Sequence, residues 1–112
     1  MSTPANTSFQ LWKGDTLRFT MSLKNSGSAY AIPSGTVFEF AVKEKGGTST
    51  YDCLAEITSS ANGTVLATIP TTVSSQMVSR KNWVYDVQMT QTGSIVTTLL
   101  YGNIFVNDEV TT

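Results

Sequence analysis

Apolar and polar residues alternate along three separate stretches of this 112-residue chain, residues 17–23, 38–43 and 83–90. A period of two places every second side chain on the same face of a β-strand, whereas a helix needs a period near 3.6. The pattern therefore predicts strands with one dry face and one wet face. The inward-facing residues are expected to form the core: Phe19, Met21, Phe38, Phe40, Val42, Trp83, Tyr85 and Val87.

Turn-forming residues recur about every ten residues between the apolar stretches. The strongest hairpin signal is Asn62-Gly63, because a two-residue type I′ turn needs positive φ at both central positions. Between Thr71 and Ser79, Val73 and Met77 are four apart, which predicts one helical turn with Thr71 or Thr72 as its cap. The residues from 94 to 106 carry apolar side chains in both parities, which predicts either burial on both faces or a bulge at Gly102.

These signals add up to seven or eight short strands and one helical turn. They predict an all-β fold, a single antiparallel immunoglobulin-like β-sandwich. Eighteen Thr and 13 Ser fill the polar positions, which agrees with a strand-rich chain because Thr disfavours helix interiors. The domain is expected to span residues 9–112, behind a flexible N-terminal arm of residues 1–8.

Charge and residue types exclude several classes of function. Seven basic and eight acidic residues leave a net charge of −1, without the positive field that nucleic-acid binding uses. The chain has no His, so Ser–His catalysis and His-ligated metals are excluded. The carboxylate pairs Asp52–Glu56 and Asp108–Glu109 are interpreted as solvated charge, and the single Cys53 as a buried, unreactive thiol. We therefore predict no enzyme, and no catalytic, cofactor-binding or metal-binding residue.

Neither a secretion signal nor a membrane span is predicted. Residues 1–8 lack the apolar core of a signal peptide, and no apolar run approaches the ~20 residues of a spanning helix. The expectation is a soluble protein made in the cytoplasm, without a membrane partner.

The arm and two aromatic residues are the candidate protein interface. Pro4 disfavours a helix in the arm, so we expect the arm to lie extended along a neighbour's surface or sheet edge. Trp12 and Tyr30 flank turns and are the best surface aromatics, either for protein contacts or, alternatively, for stacking on sugars in a small carbohydrate-binding module. The candidate interface residues are Ser2, Thr3, Pro4, Ala5, Asn6, Thr7, Ser8, Trp12 and Tyr30.

Three stretches of the chain resemble one family of phage proteins. Residues 11–17 (LWKGDTL) are similar to the entry strand of small tail and baseplate domains, with Lys13 where Arg is common. Residues 83–88 (WVYDVQ) resemble a later strand of these domains, and residues 104–111 (IFVNDEVT) resemble their terminus. The family is typified by the N-terminal domain of phage baseplate upper proteins.

The resemblance implies a sandwich that attaches to other virion proteins, with no catalysis and no fixed set of functional residues. The expected function is therefore that of a structural virion protein of a tailed bacteriophage, a tail, baseplate or fibre-attachment component. Its partners would be other virion proteins and copies of itself, and its location the virion, after synthesis in the cytoplasm of a bacterial host. A capsid decoration protein is the alternative within this class.

Overall fold

The computed structural model describes residues 5–25, 27–93 and 95–108. Within these ranges the chain forms ten strands and one four-residue helix, in the order β1 Ala5–Asn6, β2 Phe9–Trp12, β3 Leu17–Ser22, β4 Lys24–Asn25, β5 Ser28–Ala29, β6 Val37–Glu44, β7 Thr50–Ser59, β8 Thr64–Ile69, α1 Thr71–Ser74, β9 Lys81–Gln91 and β10 Ile95–Asn107. The prediction of an all-β domain with one helical turn is confirmed. Pro70, rather than a Thr, occupies the helix N-cap position.

One continuous mixed sheet contains eight of the strands, in the order β1-β10-β9-β6-β7-β8-β3, with β2 also paired to β10. Strands β4 and β5 form a separate small ladder. The pairs from β10 through β9 and β6 are antiparallel, but β1 and β2 run parallel to β10. The expected antiparallel, immunoglobulin-like sandwich is therefore not confirmed, since this sheet is antiparallel except where β1 and β2 join it. The parallel pairs arise because the first residues cover the edge of the last strand, whose main-chain groups need partners.

Strand β7 is the corner at which the sheet folds over. Its first residues, 50–53, pair with β6, and its later residues, 54–59, pair with β8. Strand β3 consequently lies across the core from β6 and β9, where the ring of Phe19 is 5.6 Å from that of Phe40 and 6.4 Å from that of Tyr85. The sheet is nearly barrel-shaped, rather than two separate sheets.

The core fills the space enclosed by this curled sheet. Of the eight predicted core residues, six are buried, and Phe19 and Phe38 are partly buried against the same cluster. The buried six are Met21, Phe40, Val42, Trp83, Tyr85 and Val87. Period-two alternation predicted which side chains face inward. Their burial confirms the predicted strand parity.

Two local predictions differ from the structure in detail. Strands β7 and β8 form the predicted hairpin, but the loop covers residues 60–63 and Gly63 alone adopts positive φ, 70°. A register shift between Ile57 and Ser59 accommodates the longer loop. In β10 the register shift lies between Thr98 and Leu100, not at Gly102. That bulge reverses the strand's parity, which explains the apolar residues on both faces.

Candidate functional site

The second half of the predicted arm lies on the chain's own sheet. Ala5 and Asn6 pair with Leu100 and Tyr101 of β10. The main-chain N–H of Thr7 donates to the Tyr101 carbonyl at 3.0 Å. Residues 5–7 therefore lie along the chain's own β10 edge, and their contact with a neighbouring protein stays a prediction. Ser2, Thr3 and Pro4 lie outside the described residues.

Trp12 and Tyr30 lie at opposite ends of the sheet. Trp12, 47% exposed, pairs with Asn107, close to the Lys81 end of β9. The hydroxyl of Tyr30, which is half-buried, accepts a hydrogen bond of 2.7 Å from the Gln91 side chain at the other end of β9. Eleven residues of strand separate these ends by about 33 Å, so the two aromatics do not form one surface.

The structure instead surrounds Phe105 with four carboxamide side chains. Phe105 points outward from β10, 37% exposed, between the buried Ile104 and Val106. Its lateral partners are Gln10 on β2 and Asn82 on β9. Two positions away along its own strand are Asn103 and Asn107, which face the same way because strand side chains alternate. We call these four residues, Gln10, Asn82, Asn103 and Asn107, the amide collar.

The amide collar borders a groove with a volume of about 340 Å³. Within the collar, the Asn107 amide donates to the Gln10 carbonyl oxygen at 3.4 Å. Sequence reasoning missed this site, because it combines residues nearly a hundred positions apart. The only local signal is the run Tyr101, Asn103, Phe105 and Asn107, in which aromatic and amide residues alternate along one strand face. The groove is lined by Ser8, Phe9, Gln10, Asn82, Asn103 and Phe105.

Charged groups lie at the margins of this face. Asp108 accepts hydrogen bonds from the side chains of Ser79 and Arg80, and these bonds hold the pKa of Asp108 below its ordinary value. Asp86, on β9, pairs with Tyr101, two positions before Asn103 on β10. Burial and the nearby Glu39 carboxylate raise the pKa of Asp86. The four collar residues themselves carry no ionisable group, so the surroundings of Phe105 are polar but uncharged.

Two apolar features lie elsewhere on the domain. A groove of about 350 Å³ separates β3 from β2 and β10, where the curled sheet does not close, and Phe9, Phe19 and Leu100 are among its lining residues. At the far end of the sheet, Val37 and Val96 both pair with Thr90, and each is more than half exposed. Ile95, next to Val96 on β10, is equally exposed on the opposite face of the strand, and we call these three residues at the end of the sheet the end patch. Exposed apolar patches of this kind are typical of protein contact surfaces.

The prediction that Cys53 is buried is confirmed in part. The side chain is half-buried and packs against the core. Burial, with a smaller contribution from the Asp52 carboxylate, raises the pKa of Cys53 to about 12. Within the described ranges, no three Asp, Glu or Cys side chains are grouped so that they could hold a metal ion. Among the same residues, no helix is long and apolar enough to span a membrane.

No protein-family model and no curated protein sequence matches this chain. Among solved structures, the chain is similar to the N-terminal domain of phage TP901-1 ORF48, with a TM-score of 0.54. The match covers 95% of this chain and 91% of that one, at 15% sequence identity. The two chains therefore share a fold over nearly their whole lengths, and the structural neighbour is a phage domain.

Proposed function

We propose that this protein is a structural component of a tailed-phage virion, a tail, baseplate or fibre-attachment protein. The observation that carries the proposal is the fold similarity to a phage domain over 95% of the chain. The short motifs at residues 11–17, 83–88 and 104–111, which resemble baseplate upper proteins, support it from the amino-acid sequence. The protein would be made in the cytoplasm of a bacterial host and reside in the virion.

In this proposal the protein acts through contacts with other virion proteins and with copies of itself. The end patch supports such contacts, because Val37, Ile95 and Val96 offer apolar surface that burial would stabilise. Only 13% of the residues are charged, so few charges need to lose their hydration when the surface is covered. Symmetric assembly would multiply such modest contacts into a stable particle. The proposed role involves no catalysis, no cofactor, no nucleic acid and no membrane.

The first test is a mass-spectrometric inventory of purified particles of the phage that encodes the protein. Peptides from this chain in stoichiometric amounts, relative to known tail proteins, are the expected result. Partial disassembly separates tails from capsids, and recovery with the capsid fraction would favour the decoration role instead. Particles that lack the protein would contradict both placements.

A second test asks whether the end patch makes the contacts. Val96→Glu places a charge in an exposed apolar position and is expected to reduce incorporation into particles at least tenfold, while the melting temperature of the isolated domain stays within a few degrees. Thr48→Glu, in the exposed loop between β6 and β7, is the matched control and should incorporate normally. Equal incorporation of both variants would remove the end patch from the interface.

A further inference from the structure

The outer face around Phe105 combines an apolar ring with a rim of uncharged hydrogen-bonding groups. Phe105 is partly exposed in the centre, and Gln10, Asn82, Asn103 and Asn107 occupy the four neighbouring positions of the sheet. Three of the four amides, all but Asn107, are exposed. An exposed aromatic residue surrounded by amide side chains matches the chemistry of one class of ligand.

That match is a pyranose sugar. A pyranose ring has a C–H face that packs on an aromatic ring, whose electron-rich surface attracts weakly polarised C–H groups. Its rim carries neighbouring hydroxyls, each both a donor and an acceptor. A carboxamide likewise presents an N–H donor and a C=O acceptor side by side, so one amide pairs with two adjacent hydroxyls. The collar offers four carboxamides around one stacking surface, and two of them, Gln10 and Asn107, already share one hydrogen bond.

The absence of charge inside the collar indicates a neutral sugar. Acidic saccharides are bound by Arg or Lys, which form charge-assisted hydrogen bonds with carboxylate or phosphate. Outside the collar, Arg80 is paired with Asp108, and Lys45 lies on the far side of Asn82, whose main-chain carbonyl accepts a hydrogen bond from the Lys45 main-chain N–H. The groove of about 340 Å³ lies near the lower limit of small-molecule sites, about 300 Å³, which suits one or two sugar rings.

Trp12 extends the same face and provides a second stacking surface. It pairs with Asn107, two positions along from the Gln10–Phe105 pair, and it points to the same side of the sheet as Gln10. Strand spacing places the residue positions of Trp12 and Phe105 about 8 Å apart. Two aromatic residues at this separation can stack on successive sugar units of an oligosaccharide, rather than on a single sugar ring.

We propose that the Phe105 face, with the amide collar and Trp12, binds a neutral oligosaccharide. The site is distinct from the end patch, so it goes beyond the proposed virion role and does not depend on it. The binding step involves no covalent chemistry.

The test is an NMR titration of the whole ¹⁵N-labelled protein with two neutral probes, the trisaccharide of N-acetylglucosamine and maltotriose. Saturable shifts of the side-chain amide signals of Asn82 and Asn103, and of the Trp12 indole, are expected with at least one probe.

Phe105→Leu keeps an apolar residue but removes the ring, and should weaken binding at least tenfold. Phe105→Tyr keeps the ring and should bind within about threefold of the unmodified protein. Ile95→Ala, on the same strand but in the end patch, is the control and should bind normally.

Flat titrations with both probes would overturn the proposal, as would Phe105→Leu binding as tightly as Phe105→Tyr. If the titrations are flat and Phe105→Leu also fails to enter particles, the face is a protein interface instead, and the virion role stands without the sugar site. If the titrations succeed and purified particles lack the protein, the virion role fails and the sugar site stands.

Discussion

The hydroxyl of Tyr85, in the core strand β9, donates a hydrogen bond of 2.6 Å to the main-chain carbonyl of Thr7. This bond fastens the N-terminal segment to the core, 78 residues further along the chain. Burial raises the pKa of Tyr85 to about 12, so the hydroxyl keeps its proton throughout the neutral range. The segment from residue 5 onward is therefore held by the domain itself.

Tyr85→Phe is expected to lower the free energy of unfolding by about 0.5–1.5 kcal/mol, the usual worth of one hydrogen bond. The ring contacts of Tyr85 with Phe9 and Phe40 survive the change, so the loss isolates the hydroxyl. Urea denaturation measures the loss, and hydrogen exchange at the Thr7 amide should accelerate. Tyr51→Phe, whose ring packs on Trp83, is the control and should cost less. Equal losses for the two variants would contradict the anchoring role.

Gly102 allows the arm to approach the sheet closely. A Cβ atom at this position would lie 1.9 Å from the Thr7 carbonyl oxygen, which is far inside van der Waals contact. Gly102→Ala should therefore displace the arm and cost about 1–3 kcal/mol, the range for overpacking. The exposed neighbour Asn103 provides the control, Asn103→Ala, with a change within about 0.5 kcal/mol.

Truncation of the first eight residues separates this clash from a general effect on β10. If Gly102→Ala acts by displacing the arm, its cost should largely disappear in the truncated protein, because the arm is already absent. The truncation alone should lower stability, since it removes the pairing of β1 with β10. Additive costs in the double-mutant cycle would show that the two changes are independent.

Local alternation was sufficient to predict the strands and their inward faces. Phe40, Val42 and Val87 are buried as the period of two requires, and the helical turn is at Thr71–Ser74. Strand parity depends on side chains two positions apart, which the sequence displays directly. Trp12 and Tyr30 were both expected on the surface because they flank turns; Trp12 is 47% exposed, whereas Tyr30 is half-buried.

Pairing between distant strands could not be predicted in this way. The parallel pairs of β1 and β2 with β10 join the two ends of the described chain, and no local signal encodes which edge an early strand will cover. The amide collar depends on the register of three strands, because Gln10, Asn82 and Phe105 become neighbours only when β10 pairs on both sides. The bulge between Thr98 and Leu100 likewise depends on the partner strand.

Phe40→Ala should lower the free energy of unfolding by about 3–5 kcal/mol, the range for emptying a buried Phe site. Phe40 is 2% exposed and packs edge-on against Phe19 and Tyr85. Val37→Ala, on the same strand but 55% exposed, is the control and should change stability by less than about 0.5 kcal/mol. A cost below about 1 kcal/mol for Phe40→Ala in denaturant titration would contradict its place in the core.

Cys53 should react slowly with thiol reagents in the folded protein. Burial and the Asp52 carboxylate raise its pKa to about 12, from an ordinary value of 9.0. At pH 8 about one thiol in ten thousand is then ionised, against about one in ten in the unfolded chain, and the thiolate is the reactive form.

The pH dependence of labelling with iodoacetamide gives the decisive measurement. The rate in the native protein should rise about tenfold per pH unit from pH 7 to pH 10, whereas the rate in urea should level off above about pH 9. Because the folded state favours the neutral thiol, the contribution of Cys53 to stability is full below its ordinary pKa of 9.0 and is lost as the pH rises toward 12.

Asp52→Asn removes the smaller cause of the raised pKa of Cys53 and should accelerate native labelling, while Glu56→Gln, on the same strand, should not. Native labelling as fast as that of the unfolded chain at pH 8 would show that Cys53 is neither shielded nor held neutral.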